Sequence, residues 1–198
     1  MTIDLQSWLR HGWQSLMEPA QMAAEVLALR LPKEAMWTGL ALVAVLNVLL
    51  LGIVQMVSPA TAELQQQMVT LTPFSYLGII GAFLTFLVFM LVHAGRMMGG
   101  TGTIEASLTL LVWFQALSLT LEFIQIVIVL ISPTIAGLFE LVPLGAIIWV
   151  FINMIRVLHD FDGLGKSVIV IFIALIGTVL GTGLVMSLLG INPVVGAV

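Results

Sequence analysis

The stretch WTGLALVAVLNVLLLGIVQMV, residues 37–57, contains no acidic or basic residue and decides the fold. A helix of about 20 apolar residues crosses the roughly 30 Å hydrocarbon core of a bilayer. The run is continuously apolar and does not alternate with a period of two, so it indicates a membrane-spanning helix and not a barrel strand. We place this first span at residues 35–57.

Four later stretches have the same character. They predict spans at residues 74–93, 105–131, 137–157 and 167–190. Of the 198 residues, 61% are hydrophobic and only 8% are charged, whereas a soluble domain carries about 25% charged residues. Because so few polar side chains cannot cover the surface of a chain this long, the surplus apolar residues should face lipid. The sequence therefore predicts an all-α, polytopic bundle of five transmembrane helices.

The positions of the basic residues predict the orientation of these spans. With five crossings all six fall on one side of the membrane: Arg10, Arg30, Lys33, Arg96, Arg156 and Lys166. The positive-inside rule then puts the N-terminus in the cytoplasm and the C-terminus on the opposite side of the membrane. The longest link, residues 58–73, lies on the outer side and suggests a brief interfacial helix, and Glu140 is expected at the outer interface.

The N-terminal segment, residues 1–33, is amphipathic and precedes a transmembrane domain at residues 34–198. Trp8 and Trp13 share one helical face with several leucines, and tryptophan rings anchor helices at membrane–water interfaces. Pro19 and Pro32 each suit the first turn of a new helix. We predict two short cytoplasmic surface helices, whose apolar face contacts either lipid or the inner ends of the spans.

A polar stripe runs along the predicted third span. At about 100° per residue its members fall within a sector of about 80°: Ser107, Gln115, Ser118, Glu122 and Gln125. An ionised carboxylate at bilayer depth costs several kcal/mol, so Glu122 should face protein or water. The stripe, with Asn153 of the fourth span as a partner, is either a proton- or ion-linked site or, as we favour, a set of interhelical hydrogen bonds.

Small residues predict close helix contacts in two spans. Gly177 and Gly181 form a GxxxG motif in the fifth span, and Gly78, Gly81 and Ala82 lie in the second. Within lipid there is no hydrophobic driving force between helices, so helices associate by close packing, and small side chains let their backbones approach each other. Contacts within one chain are the favoured interpretation, and dimerisation of two copies is the alternative.

Two short inner links form candidate interaction loops. The first, GRMMGGTGT at residues 95–103, contains Arg96, Gly99 and Gly100. The second, LHDFDGLGK at residues 158–166, contains four polar residues that could contact a partner: His159, Asp160, Asp162 and Lys166. A histidine beside two carboxylates is suited to a divalent cation or to the amine of a lipid headgroup, but a solvated loop is the favoured interpretation.

Several function classes are excluded by absent motifs. The sequence has no cysteine, no HExxH, no GxSxG and no Walker-type phosphate loop, so we expect no cofactor, no metal and no enzymatic activity. No run of lysines and arginines exists, which excludes nucleic acid as a partner.

The two inner links also carry a family resemblance. GRMMGGTGTIEASLTLLVW, residues 95–113, and RVLHDFDGLGKSVIVI, residues 156–171, resemble the loops of the Yip-one domain family, the Ypt/Rab-interacting membrane proteins, in its bacterial branch. The five-span plan with a cytoplasmic N-terminal segment is also similar, and the likeness runs from Pro19 to the C-terminus.

The resemblance implies a five-helix scaffold in a bacterial inner membrane, with no catalytic residue to transfer. Its implied partners are membrane lipids, other membrane proteins or a second copy of the chain. Eukaryotic relatives act in vesicle traffic and bind Rab-type GTPases through a longer N-terminal region, so GTPase binding is not expected for the short segment at residues 1–33. Two alternatives stay open: a small transporter or channel subunit that uses the polar stripe, and an accessory subunit of a larger membrane complex.

Overall fold

The computed structural model describes residues 5–57, 72–139 and 141–188, and every regular element in these ranges is a helix. In chain order the helices are α1 Leu5–Met17, α2 Pro19–Ala28, α3 Lys33–Val57, α4 Pro73–Met97, α5 Ile104–Ile131, α6 Pro133–Phe139, α7 Leu141–His159 and α8 Leu164–Leu188. The interfacial helix predicted in the link at residues 58–73 and the predicted position of Glu140 lie outside the described residues.

The five predicted spans are confirmed. Helices α3, α4, α5 and α8 are each long and apolar enough to cross a bilayer, and α6 and α7 together form the remaining span, Pro133–His159. The second span continues one turn beyond its predicted end, to Met97. It stops there because Gly99 takes a φ of 83°, a left-handed conformation that glycine adopts without steric cost and that commonly ends a helix.

Two threonines fix where spans begin on opposite sides of the bundle. The Thr72 hydroxyl accepts a hydrogen bond from the Ser75 backbone N–H at 3.2 Å at the start of α4. The Thr103 hydroxyl does the same for the Ala106 N–H at 3.2 Å at the start of α5. Each side chain satisfies a backbone donor that the first turn of a helix otherwise leaves unpaired.

The packed core lies toward the end of the bundle that carries the basic residues. Helices α4 and α8 form the most extensive pair, α3 packs on α5 and α4, and α7 packs on α8 and α2. Core side chains such as Leu91, Leu111 and Met154 are at most 1% exposed. Toward the other end large apolar side chains are exposed, for example Ile131 at 78% and Leu188 at 78%, as expected of a surface that lipid covers.

The two predicted N-terminal surface helices are present and pack on the protein. Helix α2 buries Met22, Ala23 and Val26 against the bundle. Helix α1 is attached to α5, because the Trp113 indole N–H donates to the Ser15 hydroxyl at 3.1 Å. Trp8 meets Trp113 edge to face at 5.4 Å. Of the two predicted interfacial anchors, Trp8 therefore contacts protein, whereas Trp13 is 64% exposed.

Candidate functional site at the basic end of the bundle

Three side-chain contacts build the basic end of the bundle. The Lys33 ammonium lies 3.1 Å from the Glu105 carboxylate and joins the starts of α3 and α5. The Arg96 Nε–H donates to the Gly102 carbonyl at 3.4 Å. The Lys166 ammonium lies 5.5 Å from the centre of the Phe161 ring. The first contact links two spans, and the other two hold the links at residues 98–103 and 160–163 against the helix ends beside them.

His159 joins the two predicted interaction loops. Its Nδ1 accepts a hydrogen bond from the Gly102 backbone N–H at 3.2 Å, and its carbonyl accepts one from the Thr101 N–H at 3.3 Å. The imidazole stacks on Phe161 with the ring centres 5.3 Å apart. We call this arrangement of His159, Phe161 and the loop at residues 95–103 the His159 junction.

Three glycines make room for the imidazole of His159. A Cβ atom on Gly102 would lie 2.5 Å from Cε1 of the ring, and one on Gly100 would lie 2.6 Å from the His159 Cβ. A Cβ on Gly95 would overlap the ring itself. Because real Cβ atoms do not approach other atoms so closely, only glycine fits at these three positions without movement of the ring or the backbone.

The hydrogen bond to Nδ1 sets the tautomer of the ring. A neutral imidazole has one N–H donor and one acceptor nitrogen, so acceptance at Nδ1 places the proton on Nε2. That nitrogen is buried beside the backbone of Leu91. It makes no well-aligned hydrogen bond within the part of the chain that the structure describes. The ring therefore acts as a neutral acceptor that holds the loop at residues 95–103 in place.

The preferred interpretation of the second loop as fully solvated is wrong for His159, which is only 1% exposed. Asp160 and Asp162 are exposed and do not join the imidazole. Among the described residues no group of three histidine or acidic side chains could hold a metal ion, so the structure does not assemble the alternative cation site. The loops instead present a charged rim around the His159 junction: Arg96, Asp160, Asp162 and Lys166.

The polar stripe of α5 is only partly buried. Glu122 was predicted to face protein or water, and it is exposed on the surface of α5, so within the described residues it does not face protein. Gln115 and Ser118 are half-buried, and the Ser118 hydroxyl donates to the Phe114 carbonyl of its own helix at 2.9 Å.

Two members of the stripe do connect helices, as the favoured interpretation expects. The Ser107 hydroxyl donates to the Val88 carbonyl of α4 at 3.3 Å, and the Gln125 amide donates to the Ala136 carbonyl of α6 at 3.1 Å. Asn153 is 4% exposed, but its amide donates to the Trp149 carbonyl of its own helix at 2.9 Å. The prediction that Asn153 is a partner of the stripe is therefore wrong for the described residues.

The small residues behave differently in the two spans. On α8, a Cβ added to Gly177 would lie 2.7 Å from the Met90 sulphur, and one added to Gly181 would lie 2.9 Å from the Phe86 ring. Both glycines thus face α4 closely. On α4, a Cβ on Gly78 or Gly81 would meet no described atom within 4 Å. Gly78 and Ala82 line a shallow groove between α4 and α8 of about 150 Å³, so their predicted role in close packing is wrong there.

A family model described as the Yip1 domain matches residues 13–185. The chain belongs to the Yip1 domain family. The family inferred from the two inner loops is thereby confirmed, whereas its bacterial branch stays a prediction, and the protein is a multi-pass membrane protein of that family. No curated protein and no solved structure matches the chain.

The Yip1-matched region contains the whole His159 junction, including three residues that sequence reasoning missed: Gly95, Gly102 and Phe161. Gly95 and Gly102 belong to a loop already singled out for its glycines, so their density was the available signal. Phe161 lies between Asp160 and Asp162, which were considered as ligands for a cation because of their charge. Nothing in its sequence context distinguishes this aromatic residue from others in the Yip1 region.

Proposed function

We propose that this Yip1-family protein is a non-enzymatic scaffold of the bacterial inner membrane, which acts through contacts with other membrane proteins or with lipid. The observation that supports the proposal is the charged rim on the His159 junction. Because His159 ties the two loops together, the backbone that carries the exposed side chains of the rim is held in a defined arrangement. A preorganised surface loses less conformational entropy when a partner binds.

Charge reversal in the rim tests the scaffold proposal. We expect Asp162→Lys to reduce the recovery of co-purified membrane proteins at least about tenfold when the full chain is isolated in mild detergent, since like charges placed across an interface cost several kcal/mol. Quantitative mass spectrometry of the isolated material measures this recovery. Glu18→Lys is the matched control, because Glu18 is an exposed acid outside the two loops.

Two results would contradict the scaffold proposal. One is equal recovery of partners by the Asp162→Lys and Glu18→Lys proteins. The other is steady turnover of a lipid or peptide substrate by the purified chain in nanodiscs. A partner recovered in fixed stoichiometry would instead identify the chain as an accessory subunit of a larger complex. Transport along α5 has less support, because Glu122 lies exposed on the surface of that helix.

The proposed topology places the His159 junction in the cytoplasm. We expect reporters inserted after Gly99 and after Gly163 to be active only in the cytoplasm, and a reporter at the C-terminus to be active only in the periplasm. The physical reason is the retention of basic residues on the cytoplasmic side during insertion. Gly99 and Gly163 are both exposed, so a reporter at either position is accessible from its side of the membrane. Activity of the two inner reporters on opposite faces would refute this topology.

A further inference from the structure

A groove of about 280 Å³ opens on the side of the bundle at its basic end, next to the His159 junction. Its lining residues come from the last turns of α4 and the first residue of α5: Phe89, Met90, Val92, His93, Arg96 and Ile104. Phe89, Val92, His93 and Arg96 follow the spacing of one helical face. The groove therefore has an apolar floor that runs along the span and two nitrogen-bearing side chains at its mouth.

The guanidinium at the mouth is held in position and has no acidic partner among the described residues. Arg96 is exposed, and its Nε–H donates to the Gly102 carbonyl at 3.4 Å, which leaves the N–H groups of its terminal nitrogens for other acceptors. Within the described ranges, Lys33 forms an ion pair with Glu105. Glu105, which follows the groove residue Ile104 in sequence, is thus already engaged by a lysine.

The position of the groove limits what could occupy it. Arg96 lies in the last turn of a helix that spans the bilayer, and Phe89 lies two turns deeper. The mouth is therefore at headgroup level and the floor is at the level of the acyl chains. A ligand that matches both parts has a negative charge joined to an apolar chain.

We propose that this groove binds one anionic phospholipid, with its phosphate at Arg96 and His93 and an acyl chain against Phe89 and Met90. Arginine and phosphate form paired, charge-assisted hydrogen bonds. Basic pockets between membrane helices on the cytoplasmic side bind anionic headgroups. The assignment of the lipid to the cytoplasmic leaflet rests on the proposed topology, whereas the binding itself does not.

Native mass spectrometry of the full chain in mild detergent tests the binding. The probes are phosphatidylglycerol and phosphatidylcholine with identical acyl chains. We expect the apparent affinity for phosphatidylglycerol to be about tenfold higher, the ratio that one well-formed charge-assisted contact provides. Equal affinities would overturn the proposal, because the groove would then have no preference for a negative headgroup.

Matched variants show whether the groove holds the lipid. We expect Arg96→Gln to weaken phosphatidylglycerol binding about tenfold. Arg10→Gln removes the same charge from the same end of the bundle, at an exposed residue of α1 outside the groove, and should change the affinity by less than about twofold. Equal losses in the two variants would show that net charge alone attracts the lipid, and would overturn the proposed site.

A steric variant covers the case in which Arg96→Gln does not fold, since Arg96 also contacts Gly102. Ile104→Trp narrows the mouth of the groove and keeps both nitrogen-bearing side chains. We expect it to reduce phosphatidylglycerol binding about tenfold, and unchanged binding would overturn the proposal. Inorganic phosphate should not compete at millimolar concentration, and competition would identify a soluble anion as the ligand instead. Inner reporters found outside the cytoplasm would refute the topology without affecting these binding results.

Discussion

Gly95→Ala is expected to lower the free energy of unfolding by about 3 kcal/mol or more, at the upper end of what an overpacked methyl group costs. The added Cβ would overlap the imidazole of His159. That ring cannot retreat easily, because Gly100 and Gly102 lie close to it and Phe161 stacks on its face. Unfolding in mixed micelles of mild detergent and dodecyl sulphate, followed by circular dichroism, measures the loss.

The same helix provides the control for this change. A Cβ at Gly81 of α4 would meet no described atom within 4 Å. Alanine favours a helix over glycine by about 1 kcal/mol, so Gly81→Ala should be neutral or stabilising. If both variants lost the same stability, the close fit of Gly95 against His159 would be contradicted.

A double variant separates the steric clash from any other defect. His159→Ala alone removes a buried ring and the acceptor for the Gly102 N–H, so it is itself destabilising. In the His159→Ala background, however, the methyl group of Gly95→Ala has space. We therefore expect the second substitution to cost less than about 0.5 kcal/mol there, and the non-additivity to be close to the whole single-variant effect.

The membrane spans could be predicted from the sequence because the signal for each is local. A continuous apolar run such as residues 37–57 specifies a helix in lipid whatever its neighbours are. The predicted end of the second span was too early, because the link at residues 95–103 was expected to be outside the helix and α4 runs to Met97. Arg96 follows the predicted end of the second span but lies within α4, because its long side chain reaches polar surroundings from the last helical turn.

The His159 junction could not be predicted because its decisive contact joins residues 57 positions apart in the chain. Histidine is intermediate among residue types in how often it is buried, and its neighbours Leu158 and Asp160 give no sign that His159 is buried. Its burial depends on the absence of side chains at Gly95 and Gly102, in a different loop. The family resemblance pointed to both loops as important. The spacing of residues within one loop, however, does not reveal which side chain packs against the other loop.

The polar stripe of α5 shows a related limit of helical periodicity. The spacing of Ser107, Gln115 and Glu122 fixes the angles between these residues about the helix axis. It does not fix which neighbours surround each level of the helix. Near the basic end Ser107 meets the backbone of α4 and near the other end Gln125 meets α6, whereas Glu122 between them is exposed among the described residues.

Gly181→Ile is expected to lower the free energy of unfolding by about 2–3 kcal/mol through overpacking of the helix pair α4 and α8. A Cβ at Gly181 would already lie 2.9 Å from the Phe86 ring, and isoleucine adds three further carbon atoms. The micelle unfolding experiment used for Gly95→Ala measures the change. Gly183→Ile is the matched control on the same helix, because Gly183 is exposed and its Cβ would meet no described atom within 4 Å.

The oligomeric state of the Gly181→Ile protein distinguishes the two roles of the GxxxG motif. If the motif packs α8 on α4 within one chain, the folded fraction should keep the wild-type oligomeric state in detergent while its stability falls. If the motif joins two copies, the variant should dissociate and each chain should retain its stability. Replacement of Phe86 by alanine should then restore part of the lost stability only in the first case, since Phe86 is the side chain that Gly181 approaches within the same chain.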